Sequence, residues 1–246
     1  MSVYVNDLIN SPDYYKFRDH LYDQPKIDEY TYTQIHSSPV QKLGISIDLE
    51  LFNRQVKDLK DHFQQWGINP DKQDRYGIAL TDPDVEYNTN PHPACWPLDI
   101  WCWHHPDDPL TDADFVIPNQ YYYYFSSLEP LYEKFKDHIC RLNITWWDKG
   151  GEFTTHRDVP EDNAVCFRTW ISNETGTDHE MYFGGRDDPD KLELVSDKLT
   201  PGELYLLDTS CYHRGISNVD NSFTIIMSLL PSAQYMIKEM LDEHKV

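Results

Sequence analysis

Between residues 141 and 230 the chain breaks into short segments separated by Gly, Pro, Asp and Asn: Arg141–Trp147, Glu152–His156, Val165–Ser172, Met181–Phe183, Leu192–Val195, Glu203–Leu207, Cys211–Ile216 and Phe223–Leu230. Eight β-like segments at this spacing fit a sandwich or barrel and leave no room for long helices. Composition agrees. Five alanines make a helix bundle a poor solution, and seven Trp and seventeen Tyr supply bulky rings that can fill a core. The expected architecture is mostly β, a jelly roll with the first half of the chain packed around it.

The remaining sequence reads as covering elements. The first 40 residues are Tyr-rich and broken by Pro12, Pro25 and Pro39, which predicts an irregular or partly helical wrap. Leu49, Phe52, Val56, Leu59, Phe63 and Trp66 recur at helical spacing and Gly67 follows, predicting an amphipathic helix. Residues 81–120 carry seven of the sixteen prolines and should be long loop. Tyr121–Tyr124 reads as a buried edge strand, Ser127 as a helix N-cap with Pro130 in the first turn, and Gln234–His244 as a closing helix. The expected division is one compact domain. Residues 1–138 pack on the core and supply a lid, 139–231 form the core, and 232–246 form the final helix.

With 21 Lys+Arg against 42 Asp+Glu, the net charge is −21 and no basic run occurs. Such a chain is unsuited to nucleic acid or anionic lipid, which require clustered cations. No apolar stretch approaches the roughly 18 residues of a membrane span, and Met1–Asn10 does not resemble a signal peptide. Five widely spaced cysteines without a CxxC pair suggest reduced thiols and a cytoplasmic location.

The chemistry concentrates in Thr155-His156-Arg157-Asp158 and in Asp208-Thr209-Ser210-Cys211-Tyr212-His213, whose His213 lies 57 residues beyond His156. On a strand, His156 and Asp158 share a face. Two imidazoles and one carboxylate on one side of a metal leave positions open, the ligand set of non-haem Fe(II) oxygenases. The competing reading is a pair of surface histidines hydrogen-bonded to carboxylates. His104-His105 is a weaker second metal candidate, because adjacent residues of an extended chain point apart.

From Arg141-Leu142-Asn143-Ile144 through Gly150-Gly151-Glu152-Phe153-Thr154-Thr155-His156-Arg157-Asp158, and again at Phe167-Arg168-Thr169-Trp170 and Thr200-Pro201-Gly202-Glu203-Leu204-Tyr205-Leu206-Leu207-Asp208, the sequence resembles the Fe(II)/2-oxoglutarate-dependent oxygenases. It is most similar to the aspartyl/asparaginyl β-hydroxylase-like group, which includes proline cis-hydroxylases. The resemblance covers about residues 139–231. It implies a double-stranded β-helix of cupin-like form, Fe(II) held by His156, Asp158 and His213, and 2-oxoglutarate as cosubstrate. It also implies hydroxylation of an unactivated C–H with release of succinate and CO2, dioxygen being the other reactant. The substrate would be amino-acid-like or a protein side chain.

One departure from that family stands out. Its basic residue for the far carboxylate of 2-oxoglutarate lies one strand beyond the distal His, where this chain has Asn221-Ser222-Phe223-Thr224. Arg168 is the replacement expected from sequence, with Thr145, Thr224 and Ser222 adding hydroxyls; a structural ion pair or a substrate contact are its other readings. Arg186, Arg214 and Trp170 are candidate substrate contacts, Trp147 and Tyr212 candidate pocket walls, and Arg157 reads as a surface residue. Cys166 and Cys211 read as small core residues. A cupin-type metal enzyme without 2-oxoglutarate and a catalytically silent jelly-roll binding module are the alternative functions.

Overall fold

A computed structural model describes residues 26–66, 75–83, 110–158 and 164–243. His104-His105, Cys95, Cys102, the first 25 residues and most of the proline-rich segment assigned as lid lie outside the described residues.

Two sheets carry the fold. The larger contains β1 (Val40–Ser46), β2 (Gln64–Gln65), β3 (Arg75–Ala79), β6 (Ile139–Trp147), β8 (Phe167–Ser172), β11 (Glu203–Leu207) and β13 (Ser222–Leu229), in the order β1-β11-β8-β13-β6-β3-β2. The smaller contains β7 (Glu152–His156), β9 (His179–Phe183), β10 (Glu193–Leu194) and β12 (His213–Ser217), in the order β10-β9-β12-β7. A short ribbon pairs β4 (Thr81–Asp82) with β5 (Ile117–Pro118). From β6 onward the chain passes between the two large sheets at nearly every connection, and all the pairings are antiparallel. That interleaving is a double-stranded β-helix, the jelly roll expected from sequence. Each of the eight expected strands is present, with ends shifted by at most two residues.

The first half of the chain does more than wrap the core. β1 extends the larger sheet beyond β11, and β3 and β2 extend it beyond β6. Five helices lie among the described residues: α1 (Glu29–Ile35), α2 (Leu49–Asp58), α3 (Gln120–Tyr124), α4 (Glu129–Phe135) and α5 (Gln234–Glu243). No helix among the described residues is long and apolar enough to cross a membrane.

Three local expectations change. The helix from Leu49 ends at Asp58, and after a 3-10 turn the chain extends at Phe63 to join the sheet at β2. Tyr121–Tyr124 is helical, because the Asn119 carboxamide accepts the backbone N–H groups of Tyr121 and Tyr122 and starts a turn. Tyr122 is buried there, while Tyr123 and Tyr124 are exposed. Ser127 does not cap α4. It sits in the preceding 3-10 turn, where its N–H donates to Gln55 Oε1.

The larger sheet is buried on both faces, and its alternation sorts side chains by chemistry. Leu142, Ile144, Trp146, Phe223, Ile225, Met227 and Leu229 face a core shared with Phe52, Phe125, Leu128 and Leu131. The opposite set faces the smaller sheet, and it includes buried Arg141, Asn143, Thr145, Ser222, Thr224 and Ser228. Phe223 belongs to the first set, its ring 5.6 Å from Trp146 and 6.5 Å from Phe52. The Phe223→Ala substitution should therefore cost about 3–5 kcal/mol through the cavity it opens, and urea denaturation with an unchanged m-value checks this.

Candidate metal centre

His156 closes β7 and His213 opens β12, and the two are paired in register across neighbouring strands. Their rings lie 4.3 Å apart. Asp158 is not on the strand. It lies two residues past the end of β7, where its N–H donates to the Thr209 carbonyl in the turn before His213. That bond places the carboxylate beside both imidazoles, 3.5 Å from His156 Nε2 and 4.0 Å from His213 Nε2. Ligand atoms of all three residues lie within 4.8 Å of one another.

Each imidazole is oriented by its own backbone. His156 Nδ1 lies 2.6 Å from the Thr154 carbonyl and His213 Nδ1 lies 3.0 Å from the Cys211 carbonyl. A carbonyl only accepts, so Nδ1 carries the proton and Nε2 presents its lone pair to a metal. Burial opposes a proton on either ring. In His213 it prevails and the pKa falls below the ordinary value, whereas in His156 the carboxylate of Asp158 outweighs it and the pKa rises. Asp158 itself resists protonation. Burial pushes its pKa up, but His156, Arg168 and His213 hold it well below the carboxylate range. His156 and Asp158 still keep 39% and 29% of their side-chain surface open, as a site that admits reactants must.

Arg168, expected from sequence to receive the cosubstrate, is engaged by protein carboxylates. Its guanidinium contacts both oxygens of Asp112 at 3.1 and 3.2 Å, Ser228 Oγ at 2.8 Å and Asp158 Oδ2 at 3.6 Å. Asp112 also meets Arg141 at 3.3 Å. Burial raises the pKa of Asp112, and the two arginines outweigh that and keep it ionised. The Asp158 carboxylate is thereby divided, Oδ1 toward the imidazoles and Oδ2 toward Arg168. Asp112 was missed in the sequence because nothing marks one aspartate in a proline-rich acidic stretch as buried.

The other expected contacts are placed as follows. Arg186 donates to Asp208 Oδ2 at 2.8 Å and to Ser210 Oγ at 3.0 Å, bracing the turn that presents His213. Tyr32 of α1 donates to the same Asp208 carboxylate. Arg214 points to Glu152, 3.4 Å away, and Arg157 reaches toward the Arg186 carbonyl and the ring of Tyr212. Trp170 is packed with Met181, Phe183, Tyr205, Leu207 and Cys211 inside the barrel. Thr145 and Thr224 face each other across β6 and β13; Thr224 Oγ1 accepts the Trp147 indole N–H at 2.9 Å. Thr145 Oγ1 and His179 Nε2 are buried without a hydrogen-bond partner among the described residues.

No family model matches the sequence, and no curated protein is similar to it at a significant level. Solved structures give low-identity similarities. One is a 2OG-Fe(II) oxygenase family oxidoreductase from Burkholderia pseudomallei, at 12% identity and TM-score 0.42, covering 85% of this chain and 92% of the other. Another is a prolyl-4-hydroxylase from Pseudomonas putida, at 9% identity and TM-score 0.41, covering 82% and 97%. A third is a prolyl hydroxylase from Trichoplax adhaerens in complex with a hypoxia inducible factor peptide fragment, at 10% identity and TM-score 0.46, covering 94% and 98%.

Two outcomes are expected. Removing one partner of the Asp112–Arg168 pair takes away part of the compensation of a buried charge, leaving Asp112 only Arg141 or Arg168 only Asp158, so Arg168→Met and Asp112→Asn should each cost up to about 3–5 kcal/mol. Chemical denaturation of both single variants and the double should show the double costing less than their sum. Acid stability turns on His36 and His179, buried imidazoles whose pKa falls from 6.5 to about 4, in each case chiefly through desolvation. The unfolded chain takes up a proton on each near pH 6.5 and the folded chain only near 4. Stability is thus complete above pH 6.5, declines by up to about 3 kcal/mol per residue on acidification through that window, and levels off below it. Denaturation midpoints between pH 7 and 4 measure this, and His179→Gln should flatten part of the decline.

Proposed function

We propose that this chain is a non-haem Fe(II)/2-oxoglutarate-dependent oxygenase that hydroxylates an unactivated C–H of an amino-acid-like small molecule or a protein side chain. One observation carries the reading. Two imidazoles whose Nδ1 atoms are held by carbonyls and one carboxylate kept ionised converge at the ends of adjacent strands of a double-stranded β-helix. These donors suit Fe(II), and on one side of the ion they leave room for further ligands.

When bound, Fe(II) with 2-oxoglutarate and dioxygen supplies an oxidant strong enough to convert R–H to R–OH, with succinate and CO2 as co-products. The residues of this chain perform the remaining tasks. His156, Asp158 and His213 hold the metal, and Arg168 keeps Asp158 charged with one oxygen turned to the imidazoles. Trp147, Phe153 and Phe183 wall the site with rings, Phe183 stacking on His213 at 5.3 Å and Phe153 lying 4.9 Å from Trp147. Those walls limit the water that could intercept a reactive species. The polar strip of Thr145, Thr224 and Ser222 suits the oxygen-rich cosubstrate. Cys140, Cys166 and Cys211 are free thiols, in keeping with a cytoplasmic setting.

The purified protein with Fe(II), 2-oxoglutarate and ascorbate should form succinate in air, and under nitrogen it should develop the visible absorption band of a keto acid chelated to iron. The His156→Ala and Asp158→Ala substitutions should each abolish succinate and lower bound Fe(II) at least tenfold. A bound metal with neither band nor succinate would point instead to a cupin-type enzyme that does not use 2-oxoglutarate.

A further inference from the structure

An octahedral metal ion offers six positions. In the oxygenase function proposed above, His156, Asp158 and His213 take three of them, a chelating keto acid takes two and dioxygen needs the last. A carboxylate can also bind a metal through both of its oxygens. If Asp158 did so, it would fill a position that a reactant requires. A working site therefore needs something that withholds one oxygen of Asp158 from the metal.

Oδ1 of Asp158 faces the imidazoles, 3.5 Å from His156 Nε2 and 4.0 Å from His213 Nε2. Oδ2 faces Arg168 Nη2 at 3.6 Å, close enough for attraction but longer than a hydrogen bond. The direct bonds of Arg168 go elsewhere. Its Nη1 and Nη2 reach the two oxygens of Asp112 at 3.2 and 3.1 Å, and Nη1 also donates to Ser228 Oγ at 2.8 Å. Arg141 Nη1 meets the same Asp112 carboxylate at 3.3 Å. Asp112 opens a 3-10 turn, Asp112–Asp114, which Thr111 fixes by donating its N–H and its hydroxyl to Asp114 Oδ2. The two-pronged pair with Asp112 thus sets how near the guanidinium comes to Asp158.

We propose that Arg168 and Asp112 are positioning residues that make Asp158 a metal ligand through one oxygen. Arg168 reserves Oδ2, so the metal takes Oδ1 alone and a position stays open. Asp112 restrains Arg168, so the guanidinium does not take the whole carboxylate from the metal. The two residues therefore act in opposite directions. Without Arg168, Oδ2 turns to the metal and Asp158 binds through both oxygens. Without the charge of Asp112, Arg168 closes on Asp158 and competes with the metal for it. This assignment rests on the reading of His156, Asp158 and His213 as metal ligands, and the experiment separates the two.

The protein is loaded with Mn(II), an octahedral ion, without any keto acid; water-proton relaxation counts the waters on the ion and calorimetry gives its affinity. Wild type should carry about three waters, the positions that three protein atoms leave. Arg168→Met should bind Mn(II) at least as tightly and carry about two, a loss of roughly one third of the relaxation enhancement. Asp112→Asn should keep about three waters but bind Mn(II) roughly tenfold more weakly, the scale of a hydrogen bond to a charged group. The double variant should behave as Arg168→Met does. Arg168→Lys keeps a cation against Asp112 and so protects the fold. Its single ammonium cannot span both carboxylates, and it should also show about two waters. Weaker Mn(II) binding by Arg168→Met and Asp112→Asn alike, as general damage to the fold would produce, overturns the assignment. So do two waters on wild type, or three on the Arg168 variants. Wild-type protein that fails to bind Mn(II) overturns the metal site itself.

Discussion

A sheet buried on both faces that must also hold charge has one solution, which is to give each face its own chemistry. In the larger sheet the two-residue period of β6 and β13 does this. Leu142, Ile144, Phe223 and Ile225 go to the helices, and Asn143, Thr145, Ser222 and Thr224 go to the barrel. A register slip of one residue would bury hydroxyls among the phenylalanines of the helical core and expose leucines to the site. The polar inner face of the larger sheet therefore depends on the same alternation that stabilises the fold.

Inside the barrel, charge is arranged in alternation as well. Asp158 is flanked by two imidazoles and Arg168, and Arg168 by Asp112. Each member offsets the desolvation of its neighbour, and each alone would be costly at that depth. A chain with net charge −21 thus keeps some of its few cations inside, where they hold the Asp158 carboxylate ionised and counter the acidity that dominates the composition.

Much of this could be read in the sequence. Strands announce themselves by apolar runs between turn residues, and a histidine two residues from an aspartate, with a second histidine after a Pro-Gly-Glu strand, is specific enough to mark a candidate metal site. What stayed hidden depends on distant partners. Arg75-Tyr76-Gly77-Ile78-Ala79 has one glycine and little β character, and it is a strand because β6 pairs with it. Arg168 is visible as a cation in an apolar run, but Asp112, 56 residues earlier, is invisible until the chain folds. The four tyrosines after Asn119 have strong strand propensity, and a single carboxamide cap overrides it. For Asp158 the sequence suggested a place beside His156 on the strand, but the bond from its N–H to Thr209 holds it past the strand's end.

The contact between Tyr32 and Asp208 joins residues 176 apart, and among the described residues β1 pairs with β11 alone. An emerging polypeptide holds the first of these strands long before the second exists. Closure of such long loops precedes any reward in contacts, so the edge of the larger sheet must complete late and slowly. During synthesis Val40–Ser46 is an unpaired strand, the kind of segment on which nascent chains aggregate. The lysine at position 42, which pairs with Glu203 at 3.0 Å in the finished protein, keeps a charge on that strand until its partner arrives.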